Sequence, residues 1–184
     1  MKTKVLIDIT SHLPALITLL QDCVASGASV GFLPPVESQT AQRYWQDVAT
    51  SLTEKPTTRL LIAAFEDEQL VGCVQLSLAN KSNAKHRAEI EKLMVHTNYR
   101  GNGISKALLS HLEEEALVAG RRLLILDTRV GDIASELYKR MNYTEAGYIP
   151  DFALSATGEL DGTTFFYKML SYTQVTSRCE FQQE

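Results

Sequence analysis

Three carboxylates and one glycine turn are the groups in this chain whose types and spacing suggest chemistry. The turn is Arg100-Gly101-Asn102-Gly103. Glycines lack a Cβ, so the backbone bends sharply there and lets a ligand come close. The amides of Asn102, Gly103, Ile104, Ser105 and Lys106 then point outward at a helix start, unpaired, where the helix dipole adds partial positive charge. That combination binds phosphate, and Arg100 adds a full charge at its mouth. Taken alone, so short a motif is more often a turn that needs glycine only for geometry. Glu89 and Glu91 stand two apart on one strand and share a face. Asp127 ends the following parallel strand, and ligands of open α/β sheets sit beyond the carboxyl ends of strands. Glu89 and Asp127 can therefore flank one cleft. The plain alternative for all three carboxylates is solvation, or pairing with Lys92, Arg121 or Arg129.

The elements that must position these groups follow from periodicity. Residues 89–95 carry the apolar run Ile90, Leu93, Met94 and Val95 and read as a strand. Ile104, Leu108, Leu112 and Ala116 recur every fourth residue, the mark of an amphipathic helix over 104–119 that Gly120 stops. Residues 121–127 hold L-L-I-L, a strand covered on both faces. Together these form a parallel strand–helix–strand crossover.

Upstream, residues 4–9 read as a first strand. A helix follows with Leu13, Leu16, Ile17, Leu20 and Val24 as its buried stripe, and a second helix spans 37–54. Residues 57–65 and 70–78 form an antiparallel hairpin around E-D-E-Q. Downstream come a short helix to Lys139 and a last hairpin of residues 143–149 and 163–170, with a loop from Pro150 to Asp161 between. The fold class is α/β (α+β): a mixed antiparallel and parallel sheet of about seven strands flanked by about four helices. One domain covers residues 1–170, and a polar, loosely held tail covers 171–184.

Composition sets the bounds. The chain has 184 residues, 45% of them hydrophobic, which suits one sizeable core. Its net charge of −4 argues against nucleic acid, whose binders carry a basic face. Cys23, Cys73 and Cys179 are odd in number and lack a C-x-x-C spacing, which suits reduced thiols in a cytoplasm. No run is long enough for a membrane span, and no residue cluster has metal-ligand spacing. The expectation is a cytoplasmic protein with no membrane, nucleic-acid or metal partner.

The stretch L-M-V-H-T-N-Y-R-G-N-G-I-S resembles the acetyl-CoA site of the GNAT superfamily of N-acetyltransferases. That pattern is [Q/R]-x-x-G-x-[G/A] between a strand and a helix; Arg100, Gly103 and Ser105 take its positions, with Ser105 a small departure. The element order matches that family over nearly the whole chain. The strings R-A-E-I-E-K-L-M-V, G-R-R-L-L-I-L-D-T, T-F-F-Y-K-M-L and G-A-S-V-G-F resemble its tabtoxin-resistance branch.

The resemblance implies acetyl transfer from acetyl-CoA to a primary amine of a small, amino-acid-like metabolite or toxin, by direct attack without a covalent enzyme intermediate. Glu89 falls where several members carry a catalytic glutamate, and Asp127 is its partner in the tabtoxin-resistance branch. E-L-Y-K-R-M-N-Y is similar to the family's A-x-x-L-Y-E-K-x-G-F, which makes Tyr138 the proton donor to the leaving thiolate. Asn142 replaces a glycine there, and asparagine also tolerates a left-handed backbone. The pantetheine arm is expected along Leu93, Met94 and Val95, with a backbone N–H near Met94 as oxyanion donor. Gly131 stands where an asparagine often meets CoA, so Asp132 or Ser135 is expected to serve. Phe32, Tyr44 and Glu91 are candidates for the acceptor side, although Tyr44 also reads as core. A homodimer is a candidate assembly. Two other readings stay open: acetylation of a protein lysine or N-terminus, and a non-catalytic acyl-CoA sensor.

Overall fold

The computed structural model describes residues 1–171. Seven strands and four α-helices follow in the order β1 (Lys2–Val5), α1 (Leu13–Ala25), α2 (Ser38–Thr53), β2 (Arg59–Glu66), β3 (Gln69–Leu78), β4 (Arg87–Val95), α3 (Ile104–Val118), β5 (Leu123–Arg129), α4 (Ile133–Arg140), β6 (Thr144–Leu154) and β7 (Leu160–Met169). They build one sheet in the order β1-β2-β3-β4-β5-β7-β6. Every pairing is antiparallel except that of β4 with β5.

Strand alternation divides the core into two layers. Ile62, Ala64, Val74, Leu76, Ala88, Ile90, Leu124 and Leu126 pack with α3 and with Tyr138 and Met141. Leu61, Ala63, Phe65, Cys73 and Met94 pack on the opposite face with the apolar stripes of α1 and α2. The outward-pointing residues of β4 and β5 near their junction, Glu89, Glu91, Ile125 and Asp127, belong by the same alternation to the α1–α2 face.

Two irregularities create the site. The β4–β5 ladder holds for only three pairs, Arg87↔Leu123, Ala88↔Leu124 and Glu89↔Ile125. Beyond them β4 stays with β3 and β5 stays with β7, so the sheet opens into a V. β4 also carries a bulge: Glu91 faces Gln75 and Met94 faces Cys73, which leaves Lys92 and Leu93 opposite Val74 alone. Lys92 adopts φ +52° there. Such bulges turn a strand and expose backbone groups. Gly72 permits this course, because a Cβ at that position would lie 2.8 Å from the Met94 carbonyl oxygen.

Three boundaries differ from the sequence reading. β1 spans Lys2–Val5 rather than residues 4–9; Asp8 instead accepts from the Thr10 amide at 2.8 Å and turns the chain toward α1. β5 runs on to Arg129, so Asp127 lies within the strand, not at its end. The loop expected from Pro150 to Asp161 is mostly strand, closed by a tight turn in which the Ser155 amide donates to Glu159 O at 2.8 Å. Pro150 is tolerated because β6 is an edge strand with a register shift between Ile149 and Ala153. The expected loose tail falls outside the described residues beyond Ser171.

Candidate active site

The glycine turn has the predicted form. Gly101 and Gly103 adopt φ +82° and +77°, and a Cβ at either would meet nothing within 4 Å. Gly103 is the N-cap of α3, with no side-chain cap bond. The Ala107 amide donates to Gly103 O at 3.1 Å, so the amides of Ile104, Ser105 and Lys106 lack helical acceptors. The Asn102 side chain donates to Tyr99 O at 3.3 Å and braces the turn. A groove of about 480 Å³ runs from Gly103 and Lys106 along α3 past Ser110 and His111. Free amides, a helix N-terminus and open space above both glycines fit a phosphate-bearing group.

Arg100 does not stand free at the mouth. Its Nε donates to Val95 O at 3.1 Å, and its Nη2 donates to Ser26 Oγ at 2.7 Å and lies 3.9 Å from Cys23 Sγ. The guanidinium therefore ties the turn to the end of α1 from behind. Asp22 does the same one turn earlier, accepting from the Thr97 amide and the Thr97 hydroxyl, both at 2.8 Å. Sequence reasoning missed Asp22 and Ser26. Their only local signal is the spacing that puts both on one face of α1, just before Gly27.

The backbone of β4 offers its own groups to the V. The His96 amide donates to Val71 O at 2.9 Å, so residue 96 faces β3. Alternation then turns the amide of Met94 toward β3 and that of Val95 toward the open edge. Leu93 is half-buried against the α3 layer and Met94 is buried in the α1–α2 layer.

Glu89 and Asp127 share the α1–α2 face where the strands part, while Tyr138 lies in the α3-side core within electrostatic reach of Asp127. Glu89 is exposed on the strand surface, yet partial desolvation of its carboxyl raises it above its ordinary range, and the charges of Glu91 and Asp127 push it further, while Arg87 and Lys92 oppose them. Asp127 is exposed, and its Oδ2 accepts from the Thr163 hydroxyl at 2.9 Å; that hydroxyl lies equally close to Thr128 O. Tyr138 is 6% exposed, with its ring against Tyr143 and Phe166. Burial raises its hydroxyl well above the usual tyrosine range, and the charges of Asp132 and Asp127 add to that. Asp127 thus acts electrostatically on both Glu89 and Tyr138. Asn142, just past α4, takes φ +63°, the left-handed turn that lets the chain leave the helix.

The remaining candidates are engaged in contacts of their own. Asp132 caps α4, its Oδ1 accepting from the Ala134 amide at 3.0 Å, and Ser135 is half-buried in the same first turn. Glu91 is held by Arg59, Nη1 to Oε2 3.0 Å. Arg59 Nη1 also donates to Gln75 Oε1, and Gln75 Nε2 donates to the Tyr44 hydroxyl at 2.9 Å. Glu91 and Tyr44 are therefore joined in one polar chain across β4, β3, β2 and α2, not presented singly to a ligand. Phe32 packs edge-on against Tyr44, centroids 5.1 Å apart, at the margin of the core. Among the described residues no His, Cys, Asp and Glu group has a metal-binding arrangement, and no helix is long and apolar enough to cross a membrane.

A seven-stranded mixed sheet that parts between its two parallel strands, with a helix N-terminus at the opening, defines an acetyltransferase-type fold. The chain belongs to the Acetyltransferase (GNAT) family, whose pattern matches residues 22–143. It is 29% identical over 122 residues to an uncharacterised N-acetyltransferase encoded in the hisH–hisA intergenic region of Azospirillum brasilense, covering 65% of this chain and 70% of that protein. The ribosomal-protein-alanine N-acetyltransferase of Brucella melitensis superposes with a TM-score of 0.76 at 22% identity, over 92% of this chain and all (100%) of the other. The yncA protein of Salmonella typhimurium, solved with its cofactor acetyl-CoA, superposes with a TM-score of 0.74 at 16% identity, over 93% of this chain and 95% of that one.

Proposed function

We propose that the protein transfers the acetyl group of acetyl-CoA to a primary amine of a small molecule. The observation that carries this reading is the position of Glu89: a carboxyl with a raised proton affinity at the vertex of the V, on the same sheet as the uncapped helix N-terminus. The amides of residues 102–106 would hold the diphosphate of acetyl-CoA, and the co-substrate supplies an activated thioester. Leu93, Met94 and Val95 would line its arm, and the Val95 N–H would meet the carbonyl oxygen as charge grows on it. Glu89 takes a proton from the acceptor ammonium, directly or through water. The freed amine attacks the thioester carbon and a C–N bond forms; the adduct nitrogen then loses its second proton to water as the C–S bond breaks. Tyr138, protonated at neutral pH, gives its proton to the departing thiolate and regains one from solvent. Asp127 helps hold the acceptor ammonium. The products are an N-acetyl amine, CoA thiol and one proton.

A small acceptor, as in the tabtoxin-resistance branch that the sequence resembles, is favoured by the confined polar surface around Glu89. The proposed assembly is a homodimer, whose second copy would cover exposed Tyr148, Ile149 and Phe152 on edge strand β6.

The test is thermal unfolding with and without acetyl-CoA, then a free-thiol assay across an amine panel. Ligand at about 100 times its Kd stabilises the native state by about 2.7 kcal/mol. A melting rise with thiol release on amines supports the reading. A rise without turnover on any amine points to the acyl-CoA sensor or to a protein acceptor.

A further inference from the structure

A pocket of about 210 Å³ opens beside Glu89, lined among others by Ser77, Lys81, Arg87, Glu89 and Ile125. Its position follows from the ladder. Arg87 and Glu89 are two apart on β4, Ser77 is the β3 partner of Glu89, and Ile125 is its β5 partner. All four therefore face the same way, at the point where β4 and β5 begin to part.

Within the lining itself cations outnumber carboxylates, Asp127 lying outside it, two residues past Ile125 on β5. Lys81 and Arg87 bring two cations to one carboxylate. Among the described residues neither has an ion-pair partner. Arg59, on the same sheet face, differs: it is bound to Glu91 and Gln75. Arg129 and Lys168 are likewise paired, with Asp161 and Glu113. Unpaired cations beside a proton-accepting carboxylate pose a difficulty for an ordinary amine. Its ammonium would meet Glu89 and also two like charges. An acceptor with its own carboxylate removes the difficulty, because the guanidinium grips that group through paired N–H bonds and the ammonium adds a point charge. The pocket is also below the roughly 300–1,000 Å³ of drug-sized ligand sites, a size for a free amino acid, not a peptide.

We propose that this pocket selects an amino carboxylate as acceptor, its carboxylate held by Arg87 and Lys81 and its amine turned to Glu89. The inference rests on the amine-acetylation reading above and narrows it. Diamines and lysine-rich peptides, which add positive charge, are disfavoured by the same two residues.

The experiment measures thiol release by the full-length protein at saturating acetyl-CoA. The panel holds free amino acids, their carboxamides and the amines left on removing the carboxylate. The best amino acid is expected to exceed its own carboxamide by about tenfold or more in kcat/KM, mostly through KM, as for a charged hydrogen bond. The acid-to-amide ratio should collapse toward one in Arg87→Gln and in Lys81→Gln, and return in part in Arg87→Lys. Retention of the acetyl-CoA melting shift shows that each variant is folded. Equal rates for acids and amides, or a ratio that survives both variants, overturns the pocket assignment and leaves amine acetylation standing. Absence of turnover on every amine, with the melting shift intact, overturns amine acetylation and this inference with it.

Discussion

Glu89 stands opposite Ile125, its last partner across the parallel ladder, and Asp127 lies two residues further along β5 on the same face. The two carboxylates thus share one surface at the point where the strands separate. The charge of Asp127 contributes to holding the Glu89 proton.

A pH dependence follows. Glu89 must be ionised to accept a proton, so kcat/KM should fall on the acid side along a limb above the ordinary carboxylate range. Asp127→Asn removes one negative charge and should move that limb to lower pH, whatever it does to the plateau. Arg87→Gln removes an opposing charge and should move it up. Steady-state pH profiles of the three proteins check both signs, and an unmoved limb in both variants removes Glu89 as the titrating base.

Stability should respond in the opposite sense to activity. The folded state raises the Glu89 pKa, so it disfavours the ionised form. The protein therefore loses stability as pH rises from the unfolded carboxylate value through the raised folded one. Glu89→Gln should match the parent in melting temperature at acid pH and exceed it at neutral pH, while activity is lost. Calorimetry at two pH values tests this, and equal melting temperatures at both contradict the desolvation and repulsion assigned to Glu89.

Tyr138→Phe keeps the ring that packs on Tyr143 and Phe166. Folding should be little changed, and kcat should fall about 10²-fold where chemistry limits the rate. Single-turnover kinetics separate the chemical step from CoA release. Full single-turnover activity in the variant excludes the acid role.

Asp22→Asn tests the brace behind the glycine turn. The carboxylate accepts two bonds from Thr97 at 2.8 Å, and an amide oxygen can replace only one of its two acceptors. The cost should be about 1.5–3 kcal/mol in unfolding free energy, with a higher KM for acetyl-CoA and a nearly constant kcat. A stability loss with unchanged KM would make the brace purely structural.

Gly103→Ala addresses the turn itself. A Cβ there meets no neighbour, so the penalty is the backbone strain of φ +77°, about 1–2 kcal/mol. The acetyl-CoA melting shift should shrink together with parent stability, because relieving the strain misdirects the helix amides. Binding measured by calorimetry distinguishes this from simple destabilisation.

Much of the frame was legible in the chain itself. The four-residue recurrence of Ile104, Leu108, Leu112 and Ala116 is local, and all four are buried as that pattern requires. Gly101 and Gly103, either side of one residue in a turn, suggest left-handed backbone, and both adopt it. Asn142 does so less strongly, and it too takes a positive φ. β6 was less readable, because Pro150 and a polar composition suit an edge strand as well as a loop.

What the sequence determined was therefore local: the strand, the glycine turn and the uncapped helix start, and the spacing that puts Glu89 and Glu91 on one face. Tertiary structure alone decided which of those groups are free. It joined Glu91 to Arg59, turned Arg100 back to Ser26, gave Asp127 the Thr163 hydroxyl, and left Arg87 and Lys81 without an ion-pair contact among the described residues. The partners in those contacts lie 32, 74 and 36 residues apart. Contacts at such separations depend on strand register and on where a parallel ladder stops, and no local pattern of residue types encodes either.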